Sequence, residues 1–344
     1  MPAGRLFSQI PKSSKGPEMF AFVIRRIIQS VLVMLAVAMI AFAMFRFVGD
    51  PVNSMLPENA STQERGELRA QLGLDAPVTV QFTRFVTGAA QGEFGISYRN
   101  KRPVSDLIAE RLPATLELVF SAAIFALAVG VPMGVYTALH RRGFISNLLQ
   151  IISLIGISVP TFVTGILLIL VFSVWLNWLP SFGRGEVEQL GWWSTGFLTV
   201  SGLKSLILPA IMLGLFQVTL IMRLVRAEML EVLRSDYVRF ARARGLINRA
   251  VNYGHALRNT LMPVITIVGL QLGSMIAFAI VTETVFQWPG MGLLFIQAVS
   301  FGDIPVMSAY LVLVSLVFVA INVIVDLLYF LVDPRLSVND KASG

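Results

Sequence analysis

Arg223-Leu-Val-Arg-Ala-Glu-Met-Leu-Glu-Val-Leu-Arg234-Ser-Asp-Tyr-Val-Arg-Phe-Ala-Arg-Ala-Arg-Gly245 opens a charged segment between two uncharged apolar runs. Through Met262 it carries eight Arg against Glu228, Glu231 and Asp236, yet Met229, Leu230, Val232, Leu233, Tyr237, Val238, Phe240 and Ala241 interrupt the charge. That mixture predicts an amphipathic helical surface and not a disordered basic tail. Ser235 or Asp236 is placed to cap a helix through Tyr237 to Arg244, and Gly245 stands where a C-terminal glycine releases one. Small Ala241 and Ala243 leave room for a close approach. A blander reading stays open, in which the Arg side chains are topology signals that snorkel to anionic headgroups.

Outward from this segment, the uncharged runs approach the roughly 20 residues needed to cross about 30 Å of hydrocarbon. They are Ile27 to Phe45, Leu118 to Leu139, Leu148 to Leu176, Ser205 to Met222, Asn259 to Thr282 and Ile304 to Val325. The third lies in a charge-free stretch, Gly143 to Gly183, too long for one straight span and divided by Pro160; the fourth contains Pro209. Six spans place both termini on one side. Arg25 and Arg26, Arg141 and Arg142, and the eight Arg above alternate to one face, which the positive-inside rule makes cytoplasmic. The opposite loops carry Arg184 and Lys204 after span three and no Lys or Arg after span five.

These spans divide the chain into a cytoplasmic tail (1–26), a first span (27–48), an extracytoplasmic loop (49–115), a core of five spans (116–331, with the charged loop at about 227–262) and a second cytoplasmic tail (332–344). Pro2, Pro11, Pro17 and three Ser suggest a flexible start, and Met19 is a second candidate initiator. The first run is too long for a signal-peptide core and no small-residue cleavage pattern closes it, so the helix is expected to be retained. The loop from Asp50 to Pro113 alone has soluble composition, with a helical patch near Gln63 to Leu72. It is read as a small extracytoplasmic subdomain leaning on the bundle, or else as a solvated loop.

Composition agrees. Of 344 residues 56% are hydrophobic and 14% charged, and 20 acids with 27 bases cannot cover a soluble domain of this size. With no Cys and two His, disulfide, thiolate and His-rich metal chemistry are closed off. The phosphate-cradling G-x-x-x-x-G-K-[ST] pattern does not occur, since Gly202-Leu203-Lys204-Ser205 lacks the Gly-Lys adjacency. The chain therefore does not energise anything by ATP alone. Polar residues at membrane depth are candidate pathway or structural groups: Glu283, ahead of an irregular or re-entrant turn at Trp288 to Gly292, and Asn322 with Asp326, one helical turn apart. For the last two, hydrogen bonding within the bundle is the plainer account.

An ordered set of motifs then carries a resemblance. Asp236-Tyr-Val-Arg-Phe-Ala-Arg-Ala-Arg-Gly245-Leu, His255-Ala-Leu-Arg-Asn259 and Met262-Pro263 resemble the cytoplasmic coupling loop of ABC importer permeases of the dipeptide, oligopeptide and nickel transport family. No Glu stands before Ala241, and Gly245 to Pro263 is longer than in sugar permeases, as in the peptide subclass. Gly49-Asp50-Pro51, Leu72-Gly-Leu-Asp-Ala-Pro77, Gly92-Glu-Phe-Gly-Ile-Ser97, Arg111-Leu-Pro-Ala-Thr115, Glu283-Thr-Val-Phe286, Pro289-Gly-Met-Gly292, Asn322 with Asp326, and Asp333-Pro-Arg335 extend it from about Phe20 to Leu336. The resemblance is to the first of the two permeases of such a system.

The resemblance implies an all-α polytopic protein of the type I importer permease fold in a bacterial inner membrane. It implies a homologous second permease, two cytoplasmic ATPases that bind ATP and Mg, an extracytoplasmic binding protein, and membrane lipid as partners, with no nucleic acid and no cofactor in this chain. It assigns ATPase coupling to Asp236, Tyr237, Ala241, Arg242, Arg244 and Gly245. The competing expectations are an ion-gradient-driven secondary carrier, against which the scarcity of ionisable residues within the spans speaks, and a membrane scaffold that docks a cytoplasmic partner without transport.

Overall fold

A computed structural model describes residues 15–47, 52, 56, 60–71 and 73–332. The two expected tails beyond 14 and 332, the motifs at Gly49-Asp50-Pro51 and Asp333-Pro-Arg335, and Leu72 lie outside the described residues, as does the side chain of Asp326.

The chain is helical almost throughout. In order come α1 (Lys15–Phe47), α2 (Thr62–Gln71), α3 (Val78–Gln91), α4 (Val104–Leu139), α5 (Phe144–Ser158), α6 (Thr161–Leu168), α7 (Val200–Val232), α8 (Asp236–Ala243), α9 (Leu257–Val285), α10 (Met291–Phe301) and α11 (Ile304–Val332). Wider π turns extend α6 through Ile169–Trp175 and lead into α9 through Ala250–Ala256. A two-stranded hairpin, β1 (Glu188–Leu190) against antiparallel β2 (Trp193–Thr195), precedes α7.

Among the described residues, five helices are long and apolar enough to cross a membrane: α1, α4, α7, α9 and α11. The remaining expected span is divided as Pro160 dictates, since a proline lacks the amide that α5 would need to continue. Pro113, Pro132, Pro209 and Pro263 are instead carried inside α4, α7 and α9. Neighbouring helices at membrane depth tolerate such freed carbonyls.

α4 differs from expectation. It begins at Val104, not at Leu118, and its 36 residues extend about 54 Å. The uncharged run begins only after Glu117, but that carboxylate is buried against Arg184 and does not break the helix.

The most extensive packing in the bundle is α4 against α7. Small residues permit it: a Cβ on Gly134 would sit 2.6 Å from the Val225 Cβ, and one on Gly214 would sit 2.8 Å from the Phe125 ring. Toward the charged end, Val135, Ala138, Val225, Met229, Val238, Ala241, Val251 and Ala256 form one buried cluster. Toward the other end, Val104, Leu107 and Ile108 of α4 pack on Met291, Leu294, Met307 and Tyr310 of α10 and α11.

The segment after α1 docks on the bundle. Phe42 of α1 meets Phe82 of α3 edge-on at 5.4 Å. Gln81 Nε2 donates to the carbonyls of Leu74 and Ala76, both at 2.8 Å, which closes the turn ahead of α3. Ser97 Oγ donates to Asp303 Oδ2 at 2.5 Å and the Tyr98 amide to Oδ1 at 3.1 Å. This buried carboxylate between α10 and α11 is the anchor for the segment.

Candidate functional site

α8 is a short platform on the charged end of the bundle. Ser235 holds its N-cap position, but the hydroxyl donates backward to the Val232 carbonyl at 2.7 Å and caps no amide. At the other end the Gly245 amide donates to the Arg242 carbonyl at 2.9 Å, and Gly245 has φ +77°, the left-handed conformation that suits glycine.

The two faces of α8 do different things. Val238 and Ala241 point inward and join the cluster made by the ends of α4 and α7 and the π turn. Of the two small residues, Ala241 is buried and seats the helix on its own chain, whereas Ala243 is exposed. Outward lie Asp236, Tyr237, Arg239, Phe240, Arg242 and Arg244, continued by exposed Leu246 and Ile247. Tyr237 and His255 are paired at 2.6 Å between the hydroxyl and Nδ1, tying α8 to the π turn. The Arg244 guanidinium stands 5.9 Å from the Phe240 ring, and Asp236 pairs with Arg239 at 3.2 Å. The Asp236 side chain is 97% exposed, so this pair contributes little stability by itself. The helix thus presents an exposed aromatic with flanking guanidinia, while its other face is packed on the bundle.

Glu283 lies at the far end of α9 and is fully buried. Its Oε1 accepts from Thr115 Oγ1 at 2.6 Å and its Oε2 from the Leu293 amide at 2.9 Å, while the Met291 amide donates to Thr115 Oγ1 at 2.8 Å. Trp288, also buried, donates from Nε1 to the Ala114 carbonyl at 2.9 Å. The irregular turn at Trp288 to Gly292 is thus packed on α4. A Cβ on Gly290 would fall 2.2 Å from Glu283 Oε1. Asn322 is half-buried on α11, with Asp326 four residues on.

Two buried polar pairs have no local signature in the sequence. Glu117 with Arg184 joins α4 to the hairpin, and Asp303 with Ser97 joins α11 to the segment before α4. Both depend on partners far apart in the chain, 67 and 206 positions, so no local pattern announces them.

A polytopic helical bundle with a short amphipathic helix seated on its basic end has the architecture of an importer permease. The family model described as binding-protein-dependent transport system inner membrane component matches residues 130–338, and the model for the N-terminal part of such components matches residues 19–119. The chain belongs to this family. The dipeptide transport system permease proteins DppB of Alkalihalophilus pseudofirmus and Escherichia coli K12 are each 38% identical to it, over 92% of this chain and 99% of theirs. The di/tripeptide transport system permease protein DppB of Pseudomonas aeruginosa is 40% identical over the same shares. Among solved structures, an inward-facing MetNI methionine ABC transporter is similar at TM-score 0.53 and 20% identity, covering 66% of this chain and 96% of that one. The chain has the type I importer permease fold and is a multi-pass inner-membrane permease subunit of a binding-protein-dependent ABC importer.

Proposed function

We propose that this permease translocates di- or oligopeptides as the first of two homologous permeases, on two cytoplasmic ATPases that bind ATP and Mg, supplied by an extracytoplasmic binding protein. Both termini are assigned to the cytoplasm, on the side of the basic loop. The observation that carries the mechanism is the two-faced α8: Val238 and Ala241 fix it to α4 and α7, while Tyr237, Phe240, Arg242 and Arg244 are exposed on the other side. ATP-driven closure of the ATPases would push this face, and the rigid seat would pass the push to the two helices that pack most closely. The helices would then exchange inward- and outward-facing arrangements, a population shift driven by differential binding. The peptide class is supported by the dipeptide and di/tripeptide permeases at 38–40% identity.

Native mass spectrometry of the tagged chain, gently extracted from its own membrane, tests the assembly. One copy with a second permease and two ATPases is the expected composition, and peptide uptake by the reconstituted assembly should require ATP. A lone chain or homo-oligomer that transports in liposomes on an ion gradient without ATP would overturn the proposal in favour of a secondary carrier.

A further inference from the structure

Between α5 and α7, at the same end of the bundle as α8, lies a cavity of about 300 Å³ lined by Gln150, Ser153, Leu154, Met222, Arg223, Arg226, Ala227 and Leu230. Its charge is one-sided. No carboxylate among the described residues forms an ion pair with Arg223 or Arg226. Arg226 has one described partner, the Gln150 side-chain oxygen that accepts from Nη1, and its Nε is sealed from solvent with no acceptor. A guanidinium carries five donors; Arg226 is half-buried, and its sealed Nε is a donor whose missing hydrogen bond is costly.

Beside the cavity, α5 presents an exposed aliphatic face that meets the lining at Leu154. Leu148, Ile151, Ile152 and Leu154 of α5 are each 43% exposed or more, and α5 carries no charged side chain. A passage for polar solute would not be walled this way; the surface suits hydrocarbon. Two guanidinia without a carboxylate partner among the described residues, at the end of a span and beside an exposed aliphatic face, match a phospholipid whose phosphate enters the cavity while its chains run along α5. Basic pockets between helices on the cytoplasmic side take such headgroups.

We propose that this cavity is a binding site for the headgroup of an anionic phospholipid of the cytoplasmic leaflet, with Arg226 and Arg223 holding the phosphodiester. Gln150 orients Arg226, and Leu154 and Ile151 line the first part of the chains. The site fastens α5 to α7 on the cytoplasmic side, next to the seat of α8. The inference rests on the assignment of the basic end to the cytoplasm, but its test reads lipid retention and needs neither ATP nor peptide. It can therefore fail while the transport assignment survives, and the reverse.

The test uses the importer in its own assembly, exchanged into micelles with equal phosphatidylglycerol and phosphatidylcholine, with retained lipid counted by native mass spectrometry. The wild type should retain phosphatidylglycerol with a preference on the order of tenfold. Arg226→Gln should lose most of that preference and Arg226→Lys only part of it. Ala227→Trp, which fills the cavity and keeps both charges, should lose it too, and with Arg223→Gln it carries the test if Arg226→Gln does not assemble. Undiminished preference in Ala227→Trp, no preference in the wild type, or displacement of the lipid by millimolar inorganic phosphate would each overturn the proposal, the last by making a soluble anion the occupant.

Discussion

Arg184 Nη2 and Glu117 Oε2 meet at 2.6 Å, with side chains 6% and 2% exposed. The pair locks the loop after α6 onto α4. The guanidinium also donates to Ser194 Oγ at 3.0 Å and to the Ser194 carbonyl at 2.7 Å, and the Gly196 amide donates to Glu117 Oε2 at 3.3 Å. The hairpin is therefore closed around a buried ion pair, and its cross-strand bonds alone would be too few to hold two three-residue strands.

Removing one partner should be worse than removing both. Arg184→Met leaves an uncompensated buried carboxylate, a loss of about 3–5 kcal/mol, whereas Arg184→Met with Glu117→Leu leaves none. Thermal unfolding of the purified assembly is expected to rank the single variant below the double one. Additive losses in the double-mutant cycle would show that the pair is not coupled.

This pair also marks where sequence reading stops. Apolar runs, Pro160 and the distribution of Arg gave the crossings, because each is a local consequence of the bilayer as solvent. Gly245 was legible as a helix terminator for the same local reason. Glu117, by contrast, directly precedes the run that begins at Leu118, and Arg184 stands in an outer loop. Their charges cancel only in three dimensions. Ala241 shows a subtler limit: its size marked it as a contact, but which face it occupies depends on how α8 is rotated on α4 and α7.

Thr115 is expected to matter as much as Glu283. Its hydroxyl accepts from the Met291 amide and donates to Glu283, so it is the link between α4 and the turn into α10. Thr115→Val keeps the shape but orphans a buried amide and one carboxylate bond, a loss of about 1–3 kcal/mol for each group. Thr115→Ser should retain most of the stability. A Thr115→Val assembly with unchanged thermal midpoint would mean that the turn is held by Trp288 and not by this hydroxyl.

Helix α2 should respond to pH. Ser61 and Glu64 form a reciprocal cap: the Ser61 amide donates to Glu64 Oε2 at 2.8 Å, and the Glu64 amide donates to Ser61 Oγ at 3.2 Å. The bond from the Ser61 amide, followed by that from its hydroxyl, holds the Glu64 carboxyl below its ordinary 4.5. A pKa lowered by folding makes the contribution to stability present above the unfolded value and lost as pH falls through the folded one. Hydrogen exchange over residues 61–67, corrected for intrinsic rate, should therefore rise relative to the bundle helices between pH 5 and pH 3. Glu64→Gln should flatten that dependence, and an equal rise in this variant would place the pH response elsewhere.

Gly245→Trp is the sharpest test of coupling, because the chain itself has room for the side chain. A Cβ at Gly245 meets no atom within 4 Å, so the indole would project outward, beside the exposed face of α8. Its cost within this chain is backbone strain at φ +77°, about 1–2 kcal/mol. Gly245→Asn provides the control, since Asn tolerates the left-handed conformation and adds less bulk. Both variants should insert and keep the bundle intact. ATP hydrolysis in the Gly245→Trp assembly should then continue without peptide uptake, while Gly245→Asn transports at nearly the wild-type rate. Equal loss of transport in both variants would trace the defect to the α8 terminus itself, and normal transport by Gly245→Trp would remove this surface from the coupling contact.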